Sequence, residues 1–94
     1  MGTPLSADDL KDALSTLPKW TRKGDAIERE FQFKNFLEAM AFVNKIADAA
    51  ENANHHPDIH ISYNKVLLTL TSHDSGGVTQ RDIRMAGVID QVAA

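Results

Sequence analysis

The 94-residue sequence contains no cysteine, and this absence excludes several kinds of chemistry. Without thiols there are no disulfides, no thiolate metal sites and no cysteine nucleophiles. A chain without cysteine suits a reducing compartment, and no stretch has the features of a signal peptide. We therefore expect a cytoplasmic protein.

Basic charge and long apolar runs are also scarce. Ten Lys and Arg against thirteen Asp and Glu give a formal net charge of −3, which argues against direct binding of nucleic acid. No apolar run approaches the ~20 residues needed to span a membrane, so we expect no membrane association. With no internal repeat and no linker, the length predicts one domain over residues 1–94.

Three stretches combine helical spacing of apolar residues with a start signal. Ser6, Asn35 and Thr79 are residue types that cap helix N-termini. We predict that Pro18 ends the first helix and that the second runs to about Asn52. The apolar stripe predicted for the second helix consists of Phe36, Leu37, Met40, Val43, Ile46, Ala47 and Ala50.

Alternating apolar and polar residues predict two β-hairpins, one over residues 20–33 and one around a two-residue turn at Asn64-Lys65. Arg29 falls on the apolar parity of its strand. Either its stem packs while its head reaches solvent, or the strand lies at a sheet edge. Two local hairpins and three helices predict an α+β fold, with a four-stranded antiparallel sheet and the three helices packed on one face.

All four histidines lie between positions 55 and 73. Histidine titrates near neutral pH, so it can both donate and accept protons there. If the second hairpin pairs around its predicted turn, His73 lies level with the adjacent His55 and His56. Glu51, one helical turn before His55, could hold an imidazole or bind a polar ligand edge. We therefore predict that the three histidines form one site.

Three interpretations of this cluster remain open. The histidines could be surface turn residues with no shared role. They could bind a metal, since Asp58 and His60 add ligand types, although the spacing matches no familiar metal motif. They could also carry out acid–base catalysis, in which two imidazoles act on one small molecule. This third interpretation needs no metal and no cofactor, and we expect neither. We expect His60 to be an exposed strand residue.

A longer spaced pattern includes these histidines. It resembles the signature of the pterin-4a-carbinolamine dehydratases, and the segments 63–66 and 77–83 are also similar to that family. Where that family often has an aromatic residue two places after Pro57, this chain has Ile59. The residues that carry the signature are Glu51, His55, His56, Pro57, Tyr63, His73 and Asp82.

The resemblance implies the same α+β fold and a hydro-lyase activity. The reaction is dehydration of 4a-hydroxytetrahydrobiopterin, the 4a-carbinolamine, to the quinonoid dihydropterin and water, which recycles the cofactor of aromatic amino-acid hydroxylases. His55 and His73 would be the acid–base pair, and His56 would chiefly bind and orient the pterin. The implied substrate-binding residues are Glu51, His55, His56, Pro57, Ser72, His73, Asp74 and Ser75.

The resemblance also implies protein partners. Members of the family form dimers and tetramers, and in animals one is a dimerisation cofactor of a homeodomain transcription factor. We therefore expect a homodimer or homotetramer, with a hydroxylase or a transcription factor as a further partner. The alternative function is a protein-binding module with little catalytic role, and a coactivator of this kind would also enter the nucleus.

Three of the remaining residues have a simpler interpretation. Asp82 lies three residues after Thr79, where it would complete a capping box. Tyr63 fits a strand aromatic. Trp20 fits the core or an interface better than it fits stacking on a pterin.

Overall fold

The protein forms three helices and a four-stranded antiparallel sheet, which confirms the predicted α+β class. The structure, a computed structural model, describes residues 3–94; Met1 and Gly2 of the predicted domain lie outside the described residues. A short 3₁₀ turn adds to the predicted element order. The elements are α1 (Ala7–Leu14), β1 (Thr21–Lys23), β2 (Ala26–Gln32), α2 (Phe36–Ala53), β3 (Asp58–Ser62), β4 (Lys65–Leu70), the 3₁₀ turn (His73–Ser75) and α3 (Gln80–Ala93).

One face of the sheet is covered by all three helices. Strands follow the order β1-β2-β4-β3, and directly paired residues of antiparallel strands share a face. The apolar parity of the two central strands therefore forms one surface, and each helix contributes buried side chains to it. This core includes Ile27, Phe31, Val66, Leu68 and Leu70 from the sheet and Leu10, Phe42, Ile46, Met85 and Ile89 from the helices.

The second hairpin turns one residue earlier than predicted. Ser62 pairs with Lys65, so the two turn residues are Tyr63 and Asn64. Asn64 is bound to the end of β2, because its carbonyl oxygen accepts from Phe33 N at 2.8 Å and its Nδ2 donates to Phe33 O at 2.9 Å. Tyr63 consequently takes a left-handed backbone conformation, with φ of 52°. It is a turn residue rather than a strand aromatic.

The apolar stripe of α2 was predicted wrongly in part. Its buried residues are Ala39, Phe42, Ile46 and Ala50. Phe36 and Leu37 are 46% and 78% exposed, and Ala47 is also exposed. The Phe42 ring sets this rotation of the helix, since its centroid lies 4.7 Å from that of Phe31 and 5.0 Å from that of Phe33.

The first helix ends at Leu14, before Pro18, which was predicted to end it. The hydroxyl of Ser15 donates to the Asp12 carbonyl at 2.5 Å, and that of Thr16 donates to the Ala13 carbonyl at 2.8 Å. These bonds satisfy carbonyls that a continuing helix would have used. The other start and stop signals are confirmed: Ser6, Asn35 and Thr79 cap their helices. None of the helices within residues 3–94 is long and apolar enough to cross a membrane.

Asp90 ties the end of α3 to the sheet. Its Oδ1 accepts from Arg29 Nη1 at 2.6 Å and from Trp20 Nε1 at 2.8 Å. The Arg29 guanidinium also lies 4.1 Å above the ring of Phe31. β2 is a central strand, so the edge-strand explanation of Arg29 is wrong: its head is paired instead. Trp20 is buried, which confirms its place in the core.

We expect Asp90→Ala to destabilise the fold, because it leaves a largely buried indole N–H and a guanidinium without their acceptor. The free energy of unfolding, measured by urea denaturation, should fall by about 1–3 kcal/mol. Asp48→Ala, which removes an exposed carboxylate from α2, serves as the control and should change it little. Equal stabilities of the two variants would contradict the role given to Asp90.

Candidate active site

The first two histidines follow the C-terminus of α2 directly. Asn54 ends the helix in the left-handed conformation, with φ of 51°. The N–H of His55 still donates to the Ala50 carbonyl at 3.1 Å, which closes the helix end. Pro57 is buried, and β3 begins at the next residue. The helix end therefore determines where His55 and His56 leave the backbone.

Asp82 is the centre of the hydrogen-bond network at the site. Its side chain is 0% exposed, and its Oδ1 lies 2.5 Å from Nε2 of His55. Its Oδ2 accepts from the Ser72 hydroxyl and from Thr79 N, both at 2.9 Å. The second of these bonds completes the predicted capping box of α3. The simpler interpretation of Asp82 is therefore correct, but it leaves out the bond to His55.

This network determines which nitrogen of His55 carries a proton. A carboxylate only accepts hydrogen bonds, so Nε2 of His55 must be the donor to Asp82. In the neutral ring Nδ1 then has a lone pair and can accept a proton. The His55 side chain is only 12% exposed, so protein atoms rather than solvent surround most of the ring. The arrangement gives His55 an oriented basic nitrogen.

His56 pairs with a different carboxylate. Its Nε2 lies 2.5 Å from Oε2 of Glu51, so Glu51 holds an imidazole as predicted, but it is that of His56. Both side chains are more than half exposed. An exposed pair of this kind contributes little to stability, so its main effect is to orient the His56 ring.

His73 begins the 3₁₀ turn that follows β4. It is exposed, and its imidazole makes no hydrogen bond or ion pair with the described residues 3–94. Ser72, just before it, is buried and shares the Asp82 carboxylate with His55. The backbone at His73 is therefore close to the His55 ring, and the convergence of the His73 side chain on the same substrate stays a prediction.

Asp74 is paired with a residue that the sequence analysis did not include in the site. Its Oδ1 accepts from Arg81 Nη2 at 2.6 Å. The hydrogen bond from Arg81 holds the pKa of Asp74 below its usual value of 3.8. Because folding lowers the pKa of Asp74, the ionised carboxyl stabilises the fold at pH values above its usual pKa. This stabilisation is lost as the pH falls through the lowered pKa.

A pocket of about 290 Å³ lies between the end of α2 and α3. Only His55 of the predicted site residues lines it. Glu51, His56, Pro57, Ser72, His73, Asp74 and Ser75 are not among its lining residues, which are Ala53, His55, Arg81, Arg84, Met85 and Val88.

The α3 part of this lining was missed, although a signal for it exists. Positions 81, 84, 85 and 88 recur at helical spacing, so they form one stripe beside the buried face. The sequence-based prediction gave Arg81, Arg84 and Val88 no place in the site. The spacing alone does not show that the end of α2 would lie opposite this stripe.

The described part of the chain, residues 3–94, brings no three His, Asp or Glu side chains together as metal ligands. His60 pairs with Leu67 on the parity of β3 and β4 that faces away from the helices. Asp58 shares that parity, while His55 faces Asp82 on the helix side. The geometry therefore gives no support to the interpretation as a metal site.

The fold and the site define an α+β protein in which a buried carboxylate orients an imidazole beside a pocket. Residues 3–92 match the family described as pterin 4 alpha carbinolamine dehydratase. The chain belongs to this family.

Individual relatives agree with the family match. A protein of Koribacter versatilis, named provisionally as a pterin-4-alpha-carbinolamine dehydratase, is 59% identical over 98% of both chains. One of Picosynechococcus with the same provisional name is 51% identical over 98% of this chain and all of its own. A crystal structure from Brucella melitensis, described as a transcriptional coactivator/pterin dehydratase, has a TM-score of 0.93 at 36% identity and covers 98% of this chain and all of its own.

A more distant structure shares the fold alone. It is a pterin dehydratase-like protein described as a RuBisCO assembly factor in the alpha-carboxysome. Its TM-score is 0.66 at 21% identity, over 80% of this chain and 87% of its own.

Proposed function

We propose that the protein dehydrates a 4a-hydroxytetrahydropterin, such as 4a-hydroxytetrahydrobiopterin, to the quinonoid dihydropterin and water. Family membership supports the substrate class. The observation that carries the proposal is the 2.5 Å contact between His55 and the buried Asp82, because it places an oriented imidazole at a pocket.

The reaction needs two proton transfers and no electron transfer. The C4a–O bond breaks as a proton is delivered to the departing hydroxyl, which leaves as water. The proton on N5 is removed, and its electron pair forms the C4a=N5 double bond. Imidazole, with a pKa near ~6.5, can serve either step at neutral pH.

Different surroundings suggest different roles for His55 and His73. His55 presents an unprotonated Nδ1 because Asp82 holds its Nε2–H, so it accepts the proton from N5. His73 has no carboxylate partner among the described residues and is exposed, so it exchanges protons with solvent and supplies a proton to the departing hydroxyl. His56, oriented by Glu51, binds the pterin edge.

The pocket beside His55 suits a small bicyclic ring. Its volume of about 290 Å³ lies just below the usual range for ligand pockets, roughly 300–1,000 Å³. Met85 and Val88 provide an apolar surface for the flat ring, and Arg84 provides N–H donors for its carbonyl group. On this proposal Pro57 and the backbone of residues 72–75 border the same ring from the turn side.

The activity would serve aromatic amino-acid hydroxylases in the cytoplasm by returning their pterin to the reducible form. No further cofactor takes part, since the substrate supplies both the leaving hydroxyl and the proton on N5.

A second candidate function is protein binding, and it is compatible with catalysis. The observation that favours it is the exposure of Phe36 and Leu37 in the first turn of α2. Large apolar side chains exposed side by side are typical of interaction surfaces. The relative from Brucella melitensis is described as a coactivator as well as a dehydratase. We propose that this surface mediates a homodimer or homotetramer and any contact with a transcription factor.

We expect purified wild-type protein to accelerate the loss of water from 4a-carbinolamine, followed by stopped-flow absorbance. His55→Ala and His73→Ala should each slow turnover by about 10²-fold, because each removes one proton-transfer group. His60→Ala, on the opposite face of the sheet, is the control and should retain wild-type turnover. Circular dichroism verifies that each variant is folded. Wild-type rates in both His55→Ala and His73→Ala would contradict the catalytic assignment.

We expect Leu37→Glu to lower the oligomeric state, because it places a charge in the exposed apolar surface. Sedimentation velocity of wild type and variant measures this directly. Asp48→Asn, a charge change elsewhere on α2, should sediment as wild type does. An unchanged oligomer in Leu37→Glu, or a monomeric wild type, would exclude this surface as the self-association interface.

A further inference from the structure

Arg81 contacts two parts of the site at once. It lies in the first turn of α3 and lines the pocket beside His55. Its Nη2 donates to Asp74 in the 3₁₀ turn. Among the residues that line the pocket, it is therefore the one bonded to the turn that carries His73.

The two residues that flank His73 are both anchored to the start of α3. Ser72 donates to Asp82, and Asp74 accepts from Arg81, which precedes Asp82 in the chain. Two consecutive residues of one helical turn thus hold the chain on both sides of His73. The imidazole itself makes no bond to the described residues, so its place depends on this turn, which the two anchors hold together with the backbone bonds from Ser75 N and Gly76 N to the Ser72 carbonyl.

Stability alone does not explain the Arg81 anchor. The Asp74 side chain is about half exposed, and an ion pair at such a site stabilises little. In addition, the Nε atom of Arg81 is enclosed and has no hydrogen-bond partner within residues 3–94, which is unfavourable. The ion pair stabilises the fold little, and the unbonded Nε destabilises it. The position of Arg81 therefore points to a role in function.

We propose that Arg81 is a positioning residue, which holds the 3₁₀ turn through Asp74 so that His73 stays beside the pocket. The inference rests on the proposed dehydration. It also gives Asp74 a different role from direct binding of substrate: its carboxylate is engaged by the protein, and it acts through the turn that it fixes.

The kinetic test compares Arg81→Gln, Asp74→Asn and the double variant. Each single variant should lower kcat about tenfold or more with a much smaller change in KM, because a displaced His73 affects the proton transfer. The double variant should be no slower than the slower single variant, since both changes remove one interaction. His73→Ala should cost less in the Arg81→Gln background than in wild type. Arg81→Lys, which keeps the charge, should restore part of kcat.

Arg22→Gln is the matched control. Arg22 is an exposed arginine of β1, bonded to the Gly24 carbonyl, and it is not among the residues that line the pocket beside His55. Arg22→Gln removes the same charge as Arg81→Gln but keeps the bond between Arg81 and Asp74. We therefore expect it to leave kcat and KM unchanged. A loss of kcat equal to that of Arg81→Gln would mean that net charge, not positioning, is the cause and would overturn the inference.

An NMR measurement tests the same point without turnover. In Arg81→Gln the carboxyl of Asp74 should titrate at a higher pH than in wild type, and the amides of residues 73–75 should exchange faster with solvent. The imidazole signals of His73 should change, while those of His60 stay the same. Unchanged exchange and unchanged His73 signals would overturn the inference.

The two measurements separate the inference from the proposed function. If wild type shows no dehydration, the proposed function fails, and the NMR result still decides whether Arg81 orders the turn. If wild type is active and Arg81→Gln raises KM with kcat intact, Arg81 binds substrate directly and the positioning role is wrong.

Discussion

One buried carboxylate, that of Asp82, is the constraint on which the site depends. A buried charge of this kind is tolerated only when its oxygens are fully hydrogen-bonded. Here the donors come from three parts of the chain: the His55 ring after α2, the Ser72 hydroxyl after β4 and the N–H of Thr79 at the start of α3. Satisfying the carboxylate therefore brings the ends of three elements together. The same carboxylate that caps the helix start also orients the imidazole.

The sequence predicted the bond between Thr79 and Asp82 but not the bond between His55 and Asp82, and the difference has a physical reason. The capping box depends on residues three positions apart, so local spacing reveals the bond from Thr79 to Asp82. The bond to His55 joins residues 27 positions apart, and only the packing of α2 against α3 creates it. Arg81 was missed for the same reason, since its partner Asp74 precedes the helix and its pocket lies between helices. Histidine content located the region, and Glu51 was expected to hold an imidazole, but the bond of Asp82 to His55 was not predicted.

The fold shows a similar division between local and long-range information. Alternation in β4 identified its buried parity, and cap residues located the start of each helix. In α2 two neighbouring stripes both have helical spacing, and the aromatic contacts of Phe42 with the sheet decide between them. The turn at Tyr63-Asn64 is displaced by the bonds of Asn64 to Phe33, the residue that follows β2. In each case the deciding contact lies outside the window from which a pattern is read.

The most direct test of the role of Asp82 is the dehydration rate of Asp82→Asn. The substitution keeps the side-chain shape but removes the charge that holds the Nε2–H of His55, so kcat should fall at least about tenfold while circular dichroism still shows a folded protein. Asn35→Ala, which removes the cap of α2 instead, should lower stability by about 1 kcal/mol and retain kcat. A folded Asp82→Asn variant with wild-type kcat would contradict the account.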